Sequence, residues 1–206
     1  MKFYKFILFL AVVLFSCINI KVPIKYTKFN PYCISDILVF KSSSGSIDTV
    51  IITNVREKHV DRQNLPHLIG RNSIEVVGVP LSDYGFNRKR LATSPVIVIY
   101  PKKALPGNTI FLGLHINSNY ILSNFIQNLD SLIDENQITL KISDKLYNDV
   151  IIINTANNRP NHVCKVYWSK KHGILRLVNC SKDSADLISK FQDQELYNKY
   201  KDTNYY

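Results

Sequence analysis

Apolar and polar residues alternate along most of this chain with a period of two, which is the spacing of a β-strand with one buried face. The alternation is clearest at 109–116, where four branched apolar residues occupy every second position. Other segments are short apolar runs bounded by residues that favour turns, and these are typical of central strands. The predicted strands are 36–42, 46–53, 74–79, 96–100, 109–116, 137–143, 147–154, 163–170 and 174–180.

Two three-residue loops that end in glycine predict tight β-hairpins. The first, Ser43-Ser44-Gly45, lies between two predicted strands. A type I turn followed by a bulge needs positive φ at its last loop residue, and glycine adopts that conformation at little cost. The resulting register pairs Ser42 with Ser46, Phe40 with Asp48 and Leu38 with Val50.

The second loop, Lys171-His172-Gly173, predicts the hairpin 163–180. Its register pairs Lys170 with Ile174, Val166 with Val178, Trp168 with Arg176 and Cys164 with Cys180. We expect the Trp168 ring to stack on the guanidinium of Arg176. In an oxidising compartment, Cys164 and Cys180 form a candidate disulfide that leaves Cys33 free. Two adjacent free thiols are the alternative, since a hydrogen-bonded pair of positions aims the Cβ atoms less well.

The segment 120–134 interrupts the strand pattern. Its apolar residues recur at three- and four-residue steps, which predicts an amphipathic helix, and frequent asparagine and aspartate leave an extended connection as the alternative. A second short helix is predicted near 187–197, within a polar tail that ends in a frayed segment. The fold class is therefore α+β and β-rich, with a curved, mostly antiparallel sheet of about eight strands and one packed helix.

The first sixteen residues have the organisation of a secretory signal. Lys2 and Lys5 precede an apolar run from Phe6 to Phe15. That run is about half of the ~20 residues needed to span a bilayer. Its end, Leu14-Phe15-Ser16-Cys17, resembles the lipobox of bacterial lipoproteins, in which the cysteine is acylated with chains such as palmitate and becomes the first residue of the mature protein. An ordinary cleaved signal is the alternative.

The resemblance implies four segments. A lipoprotein signal peptide occupies 1–16, and a tether that begins with acylated Cys17 occupies 17–30, where Pro23 opposes helix formation. A β-rich globular domain follows at 31–182, and a C-terminal helix or polar tail occupies 183–206.

The charge balance is basic, with 26 Lys and Arg against 16 Asp and Glu. Lys2 and Lys5 leave with the signal, but the mature chain still has more Lys and Arg than Asp and Glu and keeps a net positive charge. Outside the cytoplasm, nucleic acid is not the expected partner, and anionic head groups or an envelope protein are nearer candidates. The most basic surface segment is Arg88-Lys89-Arg90, which follows Tyr84 and Phe86. We predict that it binds an anionic surface; a merely solvated loop is the alternative.

Recognisable catalytic and cofactor motifs are absent from the sequence. The five histidines show neither the i, i+4 spacing of a helical zinc site nor the spacing of a zinc finger. No G-x-S-x-G elbow and no glycine-rich phosphate loop occurs. We therefore predict a protein that is not an enzyme and that needs neither metal nor cofactor. A hydrolase whose site is divided between the segments 56–71 and 82–94 is the weaker alternative.

Several short motifs look like those of small uncharacterised lipoproteins of Bacteroidota. They are the lipobox cysteine, Ile-Asp-Thr after a glycine turn at 47–49, Tyr-Asn-Asp-Val-Ile at 147–151 and Val-Tyr-Trp-Ser-Lys-Lys-His-Gly-Ile-Leu at 166–175. The resemblance implies an envelope location and a β-rich architecture. Surface-exported members commonly carry acidic residues after the cysteine, whereas Ile18-Asn19-Ile20-Lys21 follows here. This departure implies the periplasmic side of the outer membrane.

The predicted function is thus that of a membrane-tethered envelope protein with a non-enzymatic binding or structural role. A periplasmic carrier of lipid or another apolar ligand is the alternative, because a curved sheet closed by a helix resembles the half-barrels of lipoprotein-sorting factors.

Overall fold

The computed structural model describes residues 27, 29–59, 72–81, 95–105, 107–116, 120–134, 137–156 and 158–201. They form a single antiparallel sheet that curls into a half-barrel. Its strands are β1 Asp36–Ser42, β2 Ile47–His59, β3 Asn72–Pro80, β4 Pro95–Leu105, β5 Gly107–Ile116, β6 Tyr120–Asn128, β7 Ile138–Ile142, β8 Lys145–Asn154, β9 Val163–Ser169, β10 Gly173–Asn179 and β11 Ser184–Gln192. Two short helices accompany them, α1 Leu129–Asp134 and α2 Gln194–Tyr200.

The strand order is β6-β5-β4-β3-β2-β1-β11-β10-β9-β8-β7. Each half of the sheet is a meander, and the two halves meet where β1 pairs with β11. The curl brings the β6 edge back across the sheet, since the Ile121 N–H donates to Asn161 O at 3.0 Å. The hydroxyl of Tyr120 likewise donates to the carbonyl of Ser184 at 2.8 Å.

The concave face of the half-barrel holds one continuous apolar core. Alternate residues of the strands point into it, and α1 adds Leu129 and Leu132, which are also buried. Among its largest fully buried side chains are Trp168 and Phe40. Side chains therefore fill the concave face, as in other small curved sheets.

The convex face is covered locally by α2. Leu196, Tyr197 and Tyr200 pack against a second, smaller cluster that contains Ile37 and Ile51. The helix begins where the Asp193 carboxylate accepts the Leu196 N–H at 2.8 Å, as an N-cap residue does. In the described ranges, no helix combines the length and the apolarity that crossing a membrane requires.

The β-rich antiparallel architecture confirms the predicted fold class, but the prediction of about eight strands is wrong, since the described residues form eleven. The helix predicted over 120–134 is wrong for most of its length, because Tyr120–Asn128 is strand β6 and only Leu129–Asp134 is helical. Pairing with β5 satisfies the backbone of this segment, and its asparagines and serine favour helices little.

The helix predicted near 187–197 is wrong in its first half. Ser184–Gln192 forms β11, in which Ala185 and Leu187 are buried on the concave face. Because β11 lies between β1 and β10, the folded sheet continues past residue 182. The helical part begins only at Gln194.

The first hairpin has the predicted register. Phe40 pairs with Asp48 and Leu38 with Val50. The Ser42 N–H donates to Ser46 O at 2.9 Å, and Gly45 has a φ of 89°. The glycine-terminated loop thus fixes the first strand pair as expected.

The predicted register of the second hairpin is wrong. Gly173 pairs with Ser169, and Ile174 pairs with Trp168. The Ile174 N–H donates to the hydroxyl of Tyr32 at 2.9 Å instead of pairing with Lys170. Bulges then shift the remaining pairs, so that Arg176 lies opposite Tyr167.

The predicted contact between Trp168 and Arg176 is therefore absent. The Arg176 guanidinium lies over the Tyr167 ring, 5.8 Å from its centroid, and forms a bidentate ion pair with Asp186. Trp168 instead packs edge-on against Tyr32.

Cys164 and Cys180 form a disulfide with their Cα atoms 5.1 Å apart, and Cys33 is a free, exposed thiol.

The disulfide closes a loop whose ends are 16 residues apart, so we expect its loss in Cys164→Ala/Cys180→Ala to lower the free energy of unfolding by about 3 kcal/mol. Urea denaturation of both proteins measures this difference. Peptide mapping without reductant should recover the crosslinked peptide. A crosslink to Cys33, or alkylation of both hairpin thiols, would contradict it.

Candidate functional site

Residues 29–35, which we call the strap, precede β1 and pack on one end of the half-barrel. Phe29 and Tyr32 are 2% and 3% exposed and belong to the main core. The Tyr32 ring meets Trp168 edge-on, with centroids 6.3 Å apart. Burial raises the pKa of Tyr32, so its phenol stays protonated. The tether predicted over 17–30 therefore ends before Phe29, because that side chain is buried in the core.

Lys190 of β11 fastens the strap to the sheet. Its ammonium donates to Pro31 O at 2.6 Å and lies 3.2 Å from a carboxylate oxygen of Asp36. The same ammonium sits 4.9 Å from the centroid of the Tyr32 ring. The Asp36 carboxylate also accepts the Cys33 N–H at 2.9 Å. One cation thus joins the C-terminal strand to both ends of the strap.

An open cleft of about 450 Å³ lies beside the strap. Its walls are the first residues of β8, the tip of the β9–β10 turn and the C-terminal half of β11. The lining combines cations with apolar side chains: Lys145, Leu146, Tyr147, His172, Leu187, Ile188, Ser189 and Lys190. The cleft therefore suits a molecule that has both an anionic and an apolar part.

Hydrogen bonds hold the β9–β10 turn in place at the rim of the cleft. The hydroxyl of Ser169 donates to the Asp149 carboxylate at 2.8 Å and accepts the N–H groups of Lys171 and His172, both at 3.1 Å. The His172 ring then packs edge-on against Tyr147, with centroids 5.1 Å apart. The His172 ring is therefore one wall of the cleft.

Charge around His172 is predominantly positive. Partial burial lowers the pKa of His172; Asp149 opposes this shift, and the neighbouring Lys190, Lys171 and Lys145 add to it. His172 is therefore neutral at pH 7, and the positive potential of the cleft comes from lysine.

We expect acid to destabilise the protein through His172. Since the native pKa is lowered, the unfolded chain binds the proton first, and stability falls as the pH drops below the unfolded value of about 6.5. Side-chain NMR titration should give His172 a pKa below that value. Urea denaturation at several pH values should show a smaller acid response in His172→Gln. The matched variant His162→Gln should retain the contribution of His172, and an equal acid response in wild type and His172→Gln would contradict the shift.

The arrangement is not that of a hydrolytic triad, although Ser169, His172 and Asp149 are close together. Ser169 is fully buried and directs its proton to Asp149, not to the imidazole. His172 contributes only its backbone N–H to the serine. A nucleophile needs the opposite order, with the base bonded to an accessible hydroxyl.

No group of three or more His, Cys, Asp or Glu side chains in the described part of the chain is arranged to hold a metal ion. The weaker hydrolase alternative divides its site between the segments 56–71 and 82–94. Residues 60–71 and 82–94 of these segments lie outside the described residues. Arg56, at the edge of the first segment, forms an ion pair with Glu75.

Of the residues predicted from sequence, Cys164 and Cys180 do not line the cleft. Cys17 and Arg88-Lys89-Arg90 lie outside the described residues. Cys164 and Cys180 form their disulfide toward the opposite end of the half-barrel, because Cys180 follows the last residue of β10 and the cleft adjoins the first. The cleft residues Lys145, Tyr147 and Lys190 belong to segments that meet only in the folded sheet. Lys145 and Lys190 belong to none of the sequence motifs, and the motif at 147–151, which contains Tyr147, implies no binding role.

No family model matches this chain, and neither a curated protein nor a solved structure matches it. What bears on the function is therefore the chemistry of the cleft and the signal-like pattern of the first sixteen residues.

Proposed function

We propose that this protein is a membrane-tethered envelope lipoprotein with a non-enzymatic binding role, and that the cleft is its binding site. The signal-like segment and Cys17 support the tether. Its expected location is the outer membrane, on the periplasmic side. A molecule bound in the cleft would then lie at the end of the domain that the tether enters.

The composition of the cleft is the observation that carries this proposal. Lys145 and Lys190 line the same cleft as the apolar residues Leu146 and Leu187. Cations at a partly desolvated site favour an anionic group, while the apolar wall favours a hydrocarbon or aromatic portion. The favoured ligand is therefore a small anionic amphiphile.

The alternative of a carrier that encloses a large apolar ligand receives less support. Such a carrier keeps an apolar cavity between its sheet and its helix. Here Leu129 and Leu132 of α1 are buried in the same core cluster as Trp168, which is fully buried. The concave face of the described sheet is thus occupied by the side chains of the protein itself.

Native mass spectrometry of the full protein, extracted gently from its own membranes, tests the proposal. We expect an adduct that Lys145→Gln/His172→Gln loses, because this variant removes a cation and one wall of the cleft. Lys41→Gln/His162→Gln makes the same chemical changes toward the opposite end and should retain the adduct. An adduct retained equally by both variants, or no adduct on the wild type, would contradict the proposal; release of a chemically altered molecule would indicate an enzyme.

The basic segment Arg88-Lys89-Arg90 leads to a separate prediction. The mature chain carrying Cys17→Ser, and hence no acyl anchor, should bind vesicles that contain phosphatidylglycerol. Replacing the three residues with glutamine should weaken this binding, and the difference should shrink as salt rises, because salt screens exposed charges. Sedimentation of the vesicles measures the bound fraction. Equal binding of the chains with and without the three glutamines at low salt would contradict this prediction and support the alternative of a merely solvated loop.

A further inference from the structure

We infer that the strap end of the domain docks on the surface of the anchoring membrane, and that the cleft takes the phosphate of an anionic phospholipid head group. This inference rests on the proposed binding function and names its ligand. It requires that the tether hold this end near the lipid, that its charge attract the head groups, and that its rim enter the interface.

The tether reaches the folded domain at the strap, beside the cleft. From Cys17 to Thr27 the chain has ten peptide steps, which span at most about 36 Å when fully extended. Phe29 and Tyr32 are buried immediately afterwards, so the strap fixes the point at which the domain hangs from its anchor. A short tether of this kind keeps the strap end at a high effective concentration near the lipid.

The charge of the strap end complements an anionic surface. Lys145 and Lys171 are exposed at the two turns, and Lys170 lies over the Phe29 ring, 5.2 Å from its centroid. Asp36 is paired with Lys190, whereas the Asp149 carboxylate keeps its negative charge while it accepts the hydroxyl of Ser169. Asp144 is exposed in the β7–β8 turn. Around the two turns, Lys145, Lys170 and Lys171 therefore outnumber the carboxylates of Asp144 and Asp149.

The rim of the cleft also carries an apolar side chain suited to the lipid interface. Leu146 is 62% exposed, although it lies between Lys145 and the buried Tyr147. Its partner in β7 is Lys141, which is exposed as well. A leucine flanked by lysines can enter the interface while the ammonium groups reach the head-group phosphates.

The test uses the mature chain with Cys17→Ser and vesicles of phosphatidylcholine with about one third phosphatidylglycerol, compared with vesicles of phosphatidylcholine alone. Lys145→Gln/Lys171→Gln should weaken binding to the anionic vesicles about 30-fold at low ionic strength, the factor expected for two lysines near an anionic surface. Lys41→Gln/Lys165→Gln removes two lysines away from the strap end. It should bind nearly as well as the unsubstituted mature chain.

Several results would overturn the inference. Equal loss of vesicle binding in the two lysine variants would show that only net charge matters. Binding that does not depend on phosphatidylglycerol would exclude the anionic head group as the ligand. Binding of inorganic phosphate to the mature chain in solution, together with vesicle binding that Lys145→Gln/Lys171→Gln leaves unchanged, would identify free phosphate as the ligand. If anionic vesicles do not bind while the adduct in native mass spectrometry still requires Lys145 and His172, the membrane inference fails and the binding role of the cleft stands.

Discussion

Gly173→Ala should lower the free energy of unfolding by about 4 kcal/mol. At a φ of 86° an L-residue costs roughly 1–2 kcal/mol. A Cβ at this position would approach the hydroxyl oxygen of Tyr32 and its neighbouring ring carbon to well below contact distance. Tyr32 would have to move, which would leave the buried Ile174 N–H without its acceptor at a cost of about 1–3 kcal/mol. Urea denaturation of wild type and variant measures the sum.

The first hairpin provides the matched control. Gly45 has nearly the same φ, 89°, but a Cβ there would have no atom within 4 Å. Gly45→Ala should therefore cost only about 1–2 kcal/mol. In a Tyr32→Ala background the cost of Gly173→Ala should fall to that value, because the clash is gone. Equal effects of the two glycine substitutions in the wild-type background would show that the strap does not rest on Gly173.

Cys17→Ser should abolish incorporation of a fatty-acid probe and move the protein from the membrane to the soluble fraction. Two or more acyl chains anchor a protein stably, whereas a single chain does so only marginally. Loss of the acylated cysteine therefore removes nearly all the membrane affinity that the lipobox resemblance implies. Metabolic labelling followed by fractionation of cells provides both readouts.

Cys33→Ser is the control for this substitution. Cys33 is the free, exposed cysteine of the described chain and lies close behind the tether. Its replacement removes a thiol without touching the lipobox, so labelling and membrane location should not change. Undiminished labelling of Cys17→Ser would exclude the lipoprotein proposal.

The part of the fold that sequence predicts well is the part set by local chemistry. The loop Ser43-Ser44-Gly45 fixes the register of β1 and β2, because its conformational demand falls on glycine alone. The alternation at 109–116 identifies β5 for a similar reason, since the apolar or polar character of each residue indicates the face of the sheet on which it lies. These signals need no knowledge of distant residues.

The register of the second hairpin is not determined by its local sequence alone. Its turn sequence resembles the first, yet Tyr32, far away in the chain, takes the Ile174 N–H and displaces the expected pair. The side chain of Ser169 binds two turn N–H groups in addition. The register therefore depends on the strap, and no pattern within the hairpin reveals it.

The apolar residues of β6 also fit a period near 3.6, which predicts a helix there, and the helix predicted near 187–197 overlaps the second half of β11. What decides their structure is the unpaired edge that each meets, β5 for the first and both β1 and β10 for the second. The cleft is equally a product of topology. Lys145, His172 and Lys190 come from three separate segments, and only the curl of the sheet brings them together.

The central pair β1–β11 has a consequence for the export that the proposed function requires. A secreted chain crosses the membrane from its N-terminus, and β1 emerges long before the strand that must pair with it. Until β11 follows, both β1 and β10 present open edges, which are sites for pairing with other chains. Contacts this distant in sequence also form slowly. Under the proposed export, the domain would therefore complete its sheet only after translocation has nearly finished. A nascent chain stopped before residue 184 should then depend on chaperones to stay free of aggregation.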